Sequence, residues 1–221
     1  LTKVNRGGLN TGISDSSDGT AITISSGEVA TFSQSPIGTG MDRLLSNTTT
    51  SPASSVDISN TYFNSTYDTY LVIFRITPSS DDVNLNVNYA TDGSTFLTTN
   101  IYGIENYRLG GDNGSGGFNA GGAWTLTGST IGNDTGESIN GYLYLVGANN
   151  TSYPSGIHGF ESHADTNGNH QCTAFSGAQI ISARGNVVNG IRFSMSSGNI
   201  ENSEITVYGL DKNWWQIEKN M

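Results

Sequence analysis

The sharpest alternation of apolar and polar positions lies between Tyr67 and Ser94, YDTYLVIFRITPSSDDVNLNVNYATDGS. Tyr70 to Ile76 is a nearly unbroken run of aromatic and branched residues, the composition of a strand buried on both sides or lying at the centre of a sandwich. Pro78 ends the run. Ser79, Ser80, Asp81 and Asp82 follow with turn chemistry, because short polar side chains bond their own backbone in place of a ladder partner. Val83, Leu85, Val87 and Tyr89 then alternate with Asn84, Asn86 and Asn88, which gives one apolar face and one wet face. Asp92-Gly93 favours a turn with positive φ and sends the chain into another strand near Thr95. The pattern predicts a hairpin at the centre of an antiparallel all-β domain.

Further strands are predicted at Val56 to Ser59, Ala123 to Thr127 and Ile139 to Ala148, where Tyr142 and Tyr144 alternate with Leu143 and Leu145. Another block covers Gln171 to Phe175, Ala178 to Arg184, Val187 to Met195 and Ile200 to Leu210. About eight strands separated by turns at irregular spacing fit an antiparallel β-sandwich, jelly-roll-like, and no fixed period suggests a propeller or solenoid. Asp42 to Leu45 reads as a short helical turn leading into a Ser/Thr/Pro linker. The glycine-rich stretch 110–122 and the polar stretch 149–170 read as surface loops.

The first forty residues have a different texture, with short apolar beads set between glycines and serines. Ile22 and Ile24 lie in one bead, Val29 and Phe32 in the next, and neither bead can bury itself. Such beads become ordered against another surface, so residues 1–55 read as an extended docking and oligomerisation arm with its linker. Residues 56–210 form the sandwich and residues 211–221 a tail. Trp214 and Trp215 in that tail point to opposite sides of an extended chain, a pattern suited to packing one ring at home and one on a neighbour.

Composition narrows the partners. Nineteen acidic residues against nine Lys and Arg give a net charge of −10, and the nine bases are scattered, which argues against nucleic acid. No apolar run reaches the length needed to span a bilayer, so membrane insertion is not expected. The single Cys172 reads as a small buried residue.

Candidate chemistry is sparse. His158, His163, His170 and Cys172 cluster in sequence around Glu161, but HGFESH lacks the His-Glu-x-x-His spacing that one helical turn would align, so no metal site is expected. Acidic turns containing Asp15, Asp18, Asp81, Asp82, Asp112, Asp134 and Asp165 lack the closing bidentate Glu of a calcium-binding loop. Gly-x-Ser-x-Gly does not occur, and no carboxylate pair is singled out for glycoside hydrolysis. The chain therefore reads as a non-enzyme with no cofactor. Trp124, Tyr107 and Tyr153, read as loop aromatics, are the candidates for stacking on a sugar ring.

The opening LTKVNRGGLNTGISDSSDGTAITISSGEV resembles the N-terminal segment of virion structural proteins of tailed bacteriophages, tail-fibre-like proteins among them. The blocks YDTYLVIF, NLNVNYATDGSTF and NGIRFSMSSGNIENSEITVYGL are similar to a β-domain that recurs in phage tail, fibre and head-decoration proteins. The resemblance implies a virion location and an oligomer, most often a trimer, docked on capsid, portal or tail proteins through its N-terminal segment, with the β-domain facing outward and able to contact a host-surface glycan. Without a long repetitive shaft, a short fibre, spike or capsid-decorating protein fits better than a long fibre. The alternatives are a carbohydrate-binding adhesin module and a polysaccharide-degrading tailspike.

Overall fold

The structure, a computed structural model, describes residues 40–97, 123–178 and 187–210 in full, together with the backbone of strand residues 22–24, 30–32 and 105–108. The chain divides into two units, Leu1–Asp42 and Arg43–Met221. In the first unit, β1 (Ile22–Ile24) pairs antiparallel with β2 (Ala30–Phe32), with Ile22 opposite Phe32 and Ile24 opposite Ala30. The two apolar beads thus pair with each other. Val29 and the rest of the predicted arm before Gly40 lie outside the described residues.

All described regular structure of the second unit is β. The strands are β3 (Met41–Thr49), β4 (Val56–Ile58), β5 (Thr69–Pro78), β6 (Leu85–Ala90), β7 (Glu105–Arg108), β8 (Trp124–Thr125), β9 (Ile139–Val146), β10 (Gly156–Ala164), β11 (His170–Ala178), β12 (Gly190–Met195) and β13 (Ile200–Leu210). They form a seven-stranded sheet in the order β3-β13-β5-β9-β10-β11-β7 and a four-stranded sheet in the order β4-β12-β6-β8. The two sheets make an antiparallel β-sandwich, as the alternation predicts.

The core is the set of inward stripes. From the larger sheet come Tyr70, Val72, Phe74, Ile76, Leu143, Leu145, Ile157, Phe175, Ile205 and Val207, and from the smaller Ile58, Leu85, Val87, Tyr89, Trp124, Ile191 and Phe193. Each is nearly solvent-free, and burying a side chain of this size is worth roughly 1.5–3 kcal/mol. Phe63 and Tyr70 pack edge-on at 4.9 Å, as do Tyr89 and Trp124 at 5.2 Å. Burial also pushes the Tyr70 phenol pKa up, and its hydroxyl donates to the carbonyl of Asn64.

The predicted hairpin at Tyr67 to Ser94 is the main correction. β5 pairs with β13 and β9, whereas β6 pairs with β12 and β8, so the two strands lie in different sheets. The chain does bend at residues 79–82, with Asp82 at φ 60°, but the bend forms an arch across the core. A second arch, between β12 and β13, runs beside it. Ser79 N–H donates to Asn199 O (2.9 Å), Asn199 N–H to Ser79 Oγ (2.9 Å) and Ser196 N–H to Asn84 O (2.9 Å), so each arch satisfies the other's backbone. A methyl group on Gly198, at φ +71°, would lie 2.2 Å from Ser80 Oγ.

Four smaller corrections follow. Asp42 to Leu45 is strand, part of β3, and Leu44 and Leu45 pack on the core. Nine residues of the polar stretch 149–170 form β10, which carries His158 and His163. Cys172 on β11 is half-buried. Eleven strands are described in the second unit where about eight were expected, because several are only two to four residues long.

The Asn positions of β6 act as architecture. Thr125 Oγ1 donates to Asn86 Oδ1 (3.0 Å), Thr127 Oγ1 donates to Asn84 Oδ1 (2.9 Å), and Asn88 Nδ2 donates to Leu97 O (2.8 Å). Asp92 accepts from the Ser94 and Thr95 N–H groups at 2.9 and 2.6 Å, and Gly93 takes φ +84°, which gives the expected Asp-Gly turn.

Candidate functional site

The apolar run of β5 is not buried on both sides. Its inward residues are buried, but Ile73 on the outward side is 45 % exposed. Strand register places its neighbours. One row across β13, β5, β9, β10 and β11 reads Thr206, Ile73, Tyr142, Phe160, Ala174, and the next reads Tyr208, Leu71, Tyr144, His158, Ser176. Two adjacent rows of the outer face are therefore apolar and aromatic over several strands. Leu71, Ile73, Tyr142, Tyr144 and Phe160 line a shallow depression there, with Asn140 and Ser162 at its rim.

The aromatic groups hold one another. Tyr144 and His158 stack with ring centroids 5.2 Å apart and planes 19° from parallel, and Tyr142 meets Tyr144 edge-on at 6.0 Å. Val146, 40 % exposed, extends the patch on the opposite side of the tyrosine row from Asn140. A polar row, Glu204, Arg75, Asn140, Ser162, Cys172, bounds it. The three rows on the other side of that boundary carry no carboxylate across these five strands, although the chain has nineteen acidic residues.

A second constellation lies on the inward face. The core row through Ile205 and Phe74 continues as Gly141, Glu161 and Thr173. Gly141 makes the row possible, since an added methyl would meet Phe74 Cζ at 2.7 Å and Glu161 Cβ at 3.0 Å. Glu161 and His163 stand two residues apart on β10 and so share the inward face, both with fully buried side chains. Glu161 Oε2 lies 2.8 Å from His163 Nδ1, and Ser129 Oγ lies 2.9 Å from His163 Nε2. Glu161 Oε1 is buried without a hydrogen-bond partner.

Ser129 is delivered by the segment after β8, which passes from the smaller sheet to the larger. Leu126 N–H donates to Leu85 O (2.8 Å), Gly128 N–H to Thr173 Oγ1 (3.1 Å) and Gly132 N–H to Ala164 O (3.2 Å). Those bonds fix the segment on both sides of Ser129, which is itself half-buried.

The residues singled out from sequence fall in several places. Trp124 is 1 % exposed and packs on Tyr89, so it cannot stack on a sugar; it lies on β8, paired with β6 and facing the core, not in a loop. Tyr153 is 66 % exposed in the turn between β9 and β10. Tyr107 lies on β7 in register with Ala174, at the sheet edge, and only its backbone is described. Ile22, Ile24 and Phe32 are likewise described as backbone only, and Trp214 and Trp215 fall outside the described residues. The three histidines do not converge: His158 stacks on Tyr144 outside, His163 is buried, and His170 is exposed at the start of β11. Among the described residues, no group of three or more His, Cys, Asp or Glu is placed to hold a metal ion.

The sequence reading missed Ile73, Tyr142, Tyr144 and Phe160 as surface residues. The Tyr142/Leu143/Tyr144/Leu145 alternation was the available signal, since it assigns both tyrosines to one face. No family model, curated protein or solved structure matches this chain.

Proposed function

We propose that the protein is a virion component of a tailed bacteriophage, a short fibre, spike or capsid-decorating protein, acting through protein contacts made by its β-sandwich. The observation that carries this reading is the outer face of the seven-stranded sheet, where Leu71, Ile73, Tyr142, Tyr144 and Phe160 form an aromatic and apolar patch. Its occupant is a second copy of the chain. A protein of net charge −10 repels its own copies over most of its surface, and these carboxylate-free rows are where two copies approach at least electrostatic cost.

The resemblance of the N-terminal segment and the strand blocks to phage structural proteins supports the virion setting. The test is immunogold labelling of purified virions with an antibody against residues 56–210. Gold at fixed positions on the particle is expected, and particles that carry no gold would refute the reading.

A second reading is favoured by one specific feature. On one face, the stacked Tyr144–His158 pair and, across the Tyr142/Phe160 row, Asn140 and Ser162 offer flat rings together with amide and hydroxyl groups, the chemistry that holds a sugar ring. Glycan-array binding that disappears in Tyr144→Ala would establish an adhesin instead.

A further inference from the structure

We propose that Ser129, His163 and Glu161 form a nucleophile, base and orienting acid able to hydrolyse small carboxylic esters. The site lies on the inward face of β10, apart from the outer patch, and does not depend on the function proposed above.

The argument is geometric. An ionised carboxylate only accepts hydrogen bonds, so Glu161 Oε2 at 2.8 Å fixes the His163 proton on Nδ1. Nε2 is then left with its lone pair directed at Ser129, whose hydroxyl donates to it over 2.9 Å. That is the order a serine nucleophile needs: hydroxyl, imidazole as base, carboxylate holding the tautomer. The two supporting groups have fully buried side chains, whereas Ser129 is half-buried, so the exposed end of the relay is the serine residue.

A purely architectural role accounts poorly for the same atoms. Burying a carboxylate and an imidazole costs several kcal/mol, which a structural network offsets by satisfying every lone pair. Here Glu161 Oε1 has no partner. A buried side-chain oxygen left without a partner calls for such an explanation.

In the reaction, Ser129 Oγ attacks the ester carbonyl carbon while its proton passes to His163 Nε2. The tetrahedral adduct collapses, the bond from carbon to the alkoxy oxygen breaks, and the imidazolium returns the proton to the leaving alcohol. Water then attacks the acyl carbon as its proton passes to Nε2; the bond from carbon to Ser129 Oγ breaks and the imidazolium returns the proton to Oγ, releasing the carboxylic acid and restoring Ser129. One ester and one water yield one acid and one alcohol. Ser129 and His163 are the catalytic residues, and Glu161 is a positioning residue.

The test treats the purified full-length chain with a fluorophosphonate and maps the adduct by peptide mass spectrometry. A stoichiometric adduct on Ser129 is expected, absent in Ser129→Ala and formed roughly a hundredfold more slowly in Glu161→Gln, with p-nitrophenyl acetate hydrolysis falling in parallel. Because Glu161→Gln can fail to fold, the wild-type adduct decides alone: no modification of Ser129, or modification no faster than that of other exposed serines, overturns the proposal.

Discussion

Phe74 of the larger sheet and Phe193 of the smaller sheet meet in the core with ring centroids 5.3 Å apart and planes inclined at 46°. The contact ties the two layers together at side chains that are 2 % and 0 % exposed. Phe74→Ala should lower stability by about 3–5 kcal/mol, because the lost transfer energy and the residual cavity add. Urea unfolding measures this, and a loss under about 1 kcal/mol would mean that the sheets do not pack as described.

Gly159 on β10 faces inward, where an added methyl would lie 2.1 Å from Tyr142 O and 2.8 Å from Phe175 Cζ. Backbone oxygen in a sheet ladder has little room to move. Gly159→Ala is therefore expected to destabilise by roughly 1–3 kcal/mol despite its better strand propensity. Equal or raised stability in the same unfolding experiment would contradict the β9–β10 register.

Acid should loosen the turn after β6. Hydrogen bonds first from Thr95 N–H and then from Ser94 N–H hold the Asp92 carboxyl at about 2, below its ordinary 3.8. A pKa depressed on folding contributes stability that is present above the unfolded value and lost as pH falls through the folded one. The denaturation midpoint of the wild type should thus drop between about pH 4 and 2, and that of Asp92→Asn should drop less across this window. Asp165 acts in the same direction, held low chiefly by Asn169 N–H, so some acid sensitivity persists in the variant.

How far the fold could be read in advance depended on which residues carried the signal. The alternation at Val83 to Tyr89 marked a strand and its inward stripe, since burial on one face forces period two, whereas the run at Tyr70 to Ile76 marked a strand but hid its exposed outward face. Their pairing was illegible. Ser79, Ser80, Asp81 and Asp82 suit a hairpin and an arch equally, and the choice is made by β12 and β13 more than a hundred residues later. The candidate sites were hidden for related reasons. Glu161 and His163 were visible as neighbours, but they were placed in a loop, where a two-residue spacing has no directional meaning. Ser129 is one of many serines and is selected only by the fold.

Aspartate at position 73 should leave the fold almost intact, because the side chain of Ile73 projects outward and is 45 % exposed. A cost under about 1 kcal/mol is expected for Ile73→Asp, in the range of strand-surface substitutions. A loss of several kcal/mol would show that the outer face is covered within the chain itself.

The central claim is that this outer face joins copies of the chain, and sedimentation velocity of the wild type and of the Ile73→Asp, Tyr142→Asp double variant tests it most directly. The account predicts a wild-type oligomer, with a trimer as the implied state, that becomes a folded monomer in the variant. A wild type that sediments as a monomer at tens of micromolar, or a variant that keeps the wild-type oligomer, would contradict it.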